Sequence, residues 1–262
     1  MPTTGELDKL ARRRARGALA GGVLLSMIVT AAAVGLLSQD PSAEPATPSA
    51  AGTSPLPKPS NSPAIDPMDP SSYVRPTRWV HLPEPSALLA DRYPVRFPHS
   101  PAGAAAAAAA LYQSAWTLDA ATAARAVQVY IAPDGRAATR SEARQGAAWF
   151  RAQLGVDAEA ALPPEASILV QPTGVRWKSL DTDNVVVNLN LEVTLLASRQ
   201  EPVTSASAAV TVHMRWHPAL RSGDWLAVRR PADQMPALRY AELGTAEFNQ
   251  LGWAAVKSAG PG

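Results

Sequence analysis

Apolar residues occupy every second position from Asn184 to Ala197. Val185, Val187, Leu189, Leu191, Val193 and Leu195 fall on one face of an extended chain, with Asn188, Asn190, Glu192 and Thr194 on the other. Val203 to Trp216 repeats the alternation. Ala206, Ala208, Val210, Val212, Met214 and Trp216 face inward, and Ser205, Ser207, Thr211, His213 and Arg215 face outward. Ser222-Gly223-Asp224 reads as a turn into a last strand, Trp225 to Arg230. Ala166 to Trp177 reads as a strand pair, or one strand bent at Pro172-Thr173-Gly174.

Before Pro163-Pro164 the period is helical. Ser100 sits at an N-cap with Pro101 behind it, and Ala102 to Leu118 is dominated by alanine, the best helix former. Leu111, Ala115 and Leu118 share its expected face, with Tyr112 and Trp116 beside it. Asp119 caps a second helix, Ala120 to Ile131, which ends at the Pro133-Asp134-Gly135 turn. A third runs from Glu142 to Leu154, begun by Thr139 or Ser141 and stopped by Gly155. Trp149, Phe150 and Leu154 are its expected buried side. Helices first and successive strands later predict an α+β domain with helices packed on a curved antiparallel sheet. Glu242 to Val256 reads as a closing helix or strap.

The pattern upstream differs. Ala18 to Leu37 carries no charge, and its 20 residues reach about 30 Å as a helix, a bilayer's hydrocarbon thickness. Arg12-Arg13-Arg14-Ala15-Arg16 precedes it and places residues 1–17 in the cytoplasm. The expected organisation is a basic tail (1–17), a transmembrane helix (18–37), a Pro/Ser/Ala-rich disordered linker (38–72) and an extracytoplasmic α+β domain (73–262). The compact core of that domain is expected at about residues 100–232. The alternative is a secreted chain cleaved after Ala31-Ala32-Ala33. Proline recurs from Pro41 to Pro70 among Ser, Thr and Ala, too few apolar residues to offset ordering entropy. The 34 residues from Gln39 to Ser72 would span about 35 Å as a coil and about 100 Å as polyproline II. Trp79, Val80, Leu82, Leu88, Leu89, Tyr93, Val95 and Phe97 mark a strap packed on the domain, and Ser86 is placed to cap a helical turn through Ala90.

Composition narrows the chemistry. The 262 residues include no cysteine, which excludes disulfides, thiolate metal sites and a cysteine nucleophile. Lys9 and four arginines outweigh Glu6 and Asp8 by three charges in the tail, so the rest of this +2 chain is about −1. The outer domain therefore lacks the basic surplus of a nucleic-acid binder.

No catalytic, cofactor-binding or metal-binding set emerges. His213 and His217 are four apart, but on a strand and without the glutamate of a zinc motif. His81 and His99 lie in proline-rich segments, where packing or capping explains them. Asp181, Asp183 and Asn184 form an acidic turn that lacks a calcium loop's glycine and terminal glutamate. No G-x-S-x-G, Walker or H-E-x-x-H pattern occurs. Of seven tryptophans, Trp116, Trp149 and Trp216 fall on apolar faces, so core packing is their expected role, while Trp177 and Trp225 are open to a packing or a binding role.

The order of basic tail, single span, proline-rich spacer, helices and sheet resembles VirB8-like assembly components of type IV secretion and conjugation systems. Their outer domains have the cone-shaped fold of nuclear transport factor 2. Pro94-Val95-Arg96-Phe97-Pro98-His99-Ser100-Pro101-Ala102-Gly103-Ala104 is similar to a P-V-G-F-P-H-T-x-x-G-A segment of actinobacterial membrane-anchored proteins. Arg96 stands in place of that segment's glycine and Ser100 in place of its threonine. The resemblance implies a non-enzymatic scaffold whose partners are the membrane, through residues 18–37, other envelope or secretion-channel proteins, and further copies of itself. The polar sheet face around His213 and Arg215 and the strap around Trp253 are its expected contact surfaces. An exported ligand- or cell-wall-binding module is the alternative, with a pocket near Tyr112 or Tyr130. An enzyme of the same fold is a third reading, with Asp119 its nearest acid.

Overall fold

A computed structural model describes residues 72–197, 202–229 and 239–257. Among these residues no helix is long and apolar enough to cross a membrane. The expected tail and anchor, and nearly all of the linker, lie outside them.

The strands are β1 (Trp79–Val80), β2 (Ala87–Leu89), β3 (Tyr93–Val95), β4 (Ser167–Ser179), β5 (Asn184–Leu196), β6 (Pro202–His217), β7 (Asp224–Val228) and β8 (Ala254–Val256). The helices are α1 (Pro101–Ala115), α2 (Ala120–Tyr130), α3 (Arg136–Gln153) and the short α4 (Ala246–Gln250). Six strands form one sheet in the order β1-β8-β4-β5-β6-β7, and β2 and β3 form a separate hairpin. The fold is α+β, with helices packed on a mixed sheet. It is not wholly antiparallel, because β1 and β8 pair in parallel.

α1 is apolar around its whole circumference and is correspondingly buried. It packs on the sheet and on α2, and the residues from Gly103 to Tyr112 are all buried. Its alanines keep the axis close to the sheet. The Ser100 side chain accepts a hydrogen bond from the Gly103 amide at 3.1 Å, closing the expected cap. Against this helix β5 presents Val185, Val187, Leu189 and Leu191, each at most 1% exposed.

The Asp119 carboxylate caps α2 by accepting from the Thr122 amide. Hydrogen bonds from Thr122 hold this carboxyl below the ordinary value of 3.8. A depressed folded pKa means stability that is present above 3.8 and lost as pH falls through the folded value. Asp119→Ala is therefore expected to cost about 1 kcal/mol at neutral pH. In urea melts the gap from the parent chain should narrow below about pH 4; a gap constant down to pH 2 would contradict the assignment.

Several elements depart from the sequence expectation. The third helix begins at Arg136, directly after a 3-10 turn over Pro133–Gly135, rather than at Glu142. The Arg136 guanidinium donates to the Ile131 carbonyl and carries the chain from turn into helix. Trp149 is 37% exposed, while Phe150 is buried. Ser86 caps no helical turn. Its hydroxyl and amide both bond the Arg96 carbonyl, which closes the β2–β3 hairpin. Packing also extends beyond residues 100–232, to Tyr93, Val95 and Phe97 on one side and Ala241 to Ala255 on the other.

The largest difference concerns the polar face of β5. Asn190 is completely buried beneath residues 239–257, where Ala241, Phe248, Trp253 and Ala255 form a second small core. The expected strap is thus the short helix α4 followed by β8, and β8 joins the sheet. Phe248 seats against Gly174, where a Cβ would come within 2.8 Å of its ring. Trp253 is 0% exposed and offers no contact surface.

Arg96 adopts φ 61°, the left-handed region that an L side chain enters only at a cost. Glycine would adopt the same conformation without that cost. The side chain is exposed, so Arg96→Gly loses no packing. It should raise stability by about 1 kcal/mol, read as a higher urea midpoint.

Candidate functional site

A half-open groove of about 440 Å³ lies where α1 meets the outer edge of β4. The β4 wall is Leu169, Val170, Gln171 and Pro172. The α1 floor is Ala106, Ala109, Ala110 and Gln113. The opposite wall is the segment from His81 to Pro85, and Val256 and Lys257 close one end.

Each wall has a local cause. β4 carries a bulge between Pro172 and Gly174, the bend expected from Pro172-Thr173-Gly174. β8 pairs with β4 only at Gly174 and Val175, just beyond that bulge. Pro83 and Pro85 lack amide donors and cannot knit residues 81–85 onto the β4 edge. The alanine floor leaves space that larger side chains would fill. Leu169 is 55% exposed at the mouth, a large apolar side chain left facing solvent.

The groove is electrically two-ended. Lys257 and His81 stand beside Pro172, where β8 leaves β4, and Glu84 lies further along the opposite wall. The Gln113 side-chain amide donates to the Val170 carbonyl at 3.4 Å. Together these features suit a ligand with an apolar middle and polar ends.

The expected sites fall elsewhere. Tyr112 and Tyr130 do not line the groove. Both are buried; burial raises the Tyr112 hydroxyl and pushes Tyr130 up to about 12. The Tyr130 hydroxyl donates to the Pro94 carbonyl at 2.9 Å, a packing role. Asp119 is the α2 cap. Asp181 holds the β4–β5 turn, accepting from the Asp183 amide and the Asn184 side chain. His99 stacks on Trp216 at 4.3 Å, and its Nε2 lies 2.9 Å from the Asp183 carboxylate. His99 thereby ties the approach to α1 onto the β4–β5 turn. Burial and the neighbouring Arg215 lower the pKa of His217. Among the described residues no group of three or more His, Asp or Glu side chains is placed to hold a metal ion.

Trp225 is buried and donates from its indole to the Pro98 carbonyl at 2.9 Å. Trp79 and Trp177 remain partly exposed. Buried Asp224 accepts from the Arg96 and Trp225 amides and pairs with Arg221.

Sequence reasoning missed the groove because its main wall is a strand edge. The available signal was Pro172, a proline within a strand pattern, which marks an edge or bulge. The chain matches no family model, no curated protein and no solved structure.

Proposed function

We propose that this chain is a non-enzymatic scaffold of an envelope complex, anchored through residues 18–37 with its α+β domain outside the membrane. In this reading the domain is a cone of the VirB8 and nuclear transport factor 2 type, and the complex serves conjugative transfer or type IV secretion. The supporting observation is the half-open groove walled by the β4 edge and floored by alanines, with Leu169 exposed at its mouth. An anchor confines the search for partners to a thin layer and raises their effective concentration.

The test is cross-linking of intact cells that express a C-terminally tagged chain, followed by mass spectrometry. Recovery of a transfer ATPase or other channel components is the expected result. Capture of only the chain itself, or of nothing, would sink the proposal. Leu169→Glu should remove most of the capture without unfolding the domain, because the side chain is already exposed. Arg215→Glu tests the polar sheet face in the same assay; unchanged capture would exclude that face.

The second reading is a ligand- or wall-binding module. It is favoured by the convergence of His81, Glu84, Gln113, Gln171 and Lys257 on one groove. Titration of the full chain with muropeptide fragments tests it, and protection against heat by those fragments would support it.

A further inference from the structure

The backbone groups of the β4 edge can be placed from the strand registers. On β5 the residues opposite Val175, Pro172, Val170 and Ile168 are Leu189, Leu191, Val193 and Leu195, one alternating set. Those four β4 residues share one phase, and because the Leu180 amide bonds to the Asn184 carbonyl at the turn, that phase directs their backbone groups away from β5. The Ala255 amide bonds to Arg78 on the β1 side, so Ala254 faces β4, opposite Val175. Beyond the bulge nothing equivalent pairs with Ile168 or Val170 among the described strands. The bond from Gln113 to the Val170 carbonyl agrees with this phase. Pro172 occupies the same phase, where a residue without an amide hydrogen is tolerated.

We propose that the groove receives an extended segment of a partner polypeptide, which adds as a strand to β4 at Ile168–Pro172. This deepens the scaffold reading and rests on it. The incoming strand runs antiparallel to β4, as β5 and β8 both do, the more stable pairing per residue. It enters beside Lys257 and His81 and leaves beside Glu84. Its N-terminal end therefore carries an acidic residue and its C-terminal end a basic one, with small apolar residues over the alanine floor. Main-chain bonds supply affinity and the alternate side chains supply specificity.

The probe is a labelled, end-blocked pentapeptide, Asp-Ala-Val-Ala-Lys, titrated into the full chain in detergent by fluorescence anisotropy. The reversed peptide, Lys-Ala-Val-Ala-Asp, should bind about tenfold more weakly, and so should a peptide N-methylated at its central valine. Ile168→Pro removes an outward amide in the phase Pro172 already occupies. It should weaken binding about tenfold while leaving the circular dichroism unchanged. Lys257→Glu provides a second variant that leaves the ladder intact, and it should reverse the preference between the two charge orders.

Equal binding of all three peptides, or binding of none, would overturn the proposal. So would binding that appears only after deletion of residues 258–262, because the groove would then belong to this chain's own end. If cellular cross-linking recovers channel components equally from the parent and Ile168→Pro chains, strand addition fails and the scaffold reading stands. If the parent chain recovers none, the scaffold reading itself fails.

Discussion

Replacing Gly103 with alanine is expected to cost about 3 kcal/mol or more, a large part of a typical domain's stability. A Cβ on Gly103 would press into the Pro98 carbonyl oxygen, far inside van der Waals contact, and lie 2.9 Å from its carbon. Both are backbone atoms, and neither can rotate aside. The same carbonyl accepts from the Ser100 amide at 2.8 Å and the Trp225 indole at 2.9 Å. Relieving the clash would disturb the α1 cap and the seat of a buried tryptophan together. Urea unfolding of the full chain provides the measurement, with Ser100→Ala as the reference. That variant loses the cap alone, worth about 1 kcal/mol. Should Gly103→Ala prove no worse than Ser100→Ala, the close approach to Pro98 would carry no stability.

Asn190→Ala should lose about 3 kcal/mol and loosen residues 239–257. The Asn190 side chain donates to the Thr173 hydroxyl at 2.9 Å and the Ala241 carbonyl at 2.8 Å, and accepts from the Ala241 amide at 3.2 Å. Alanine leaves these buried groups without this partner and opens a small cavity. Trp253, buried in the same outer core, should shift its fluorescence to the red. Hydrogen exchange should rise across residues 239–257 more than in β5. Asn188→Ala is the comparison, since Asn188 accepts from the Thr211 hydroxyl and does not bond to the strap. Equal effects of the two variants would show that Asn190 is not what fastens the strap.

The strands were legible because alternation is local: six inward residues on β5 suffice to place both its faces. The caps were legible for the same reason, since Ser100 and Asp119 act within three residues of themselves. What covers the second sheet face was not. Asn190 reads as solvated from its neighbours, and only the return of a segment some fifty residues later buries it. β1 and β8 contain two and three residues, too short to show a period. The parallel pair that makes the sheet mixed was thus invisible. Arg96 was noticed as a departure from a glycine, but its positive φ was not visible in the sequence. The groove belongs to the same class of feature. Its floor is a run of alanines that reads simply as helix, and its wall is a consequence of where β8 stops.

The seam between β1 and β8 also sets an order of events in time. The Asn249 side chain donates to the Arg75 carbonyl across 174 residues of sequence, and the Ala255 amide bonds to Arg78 beside it. Contacts so distant along the chain are slow to find, because the intervening loop must close first. In a chain delivered from its N-terminal end, residues 75–80 emerge early and wait for almost the whole domain. Until residues 249–257 arrive, the β4 edge at Gly174 and Val175 stays bare and the second core stays open. A chaperone guarding this chain during synthesis would therefore find its target in the nearly finished domain, one strand short of closure.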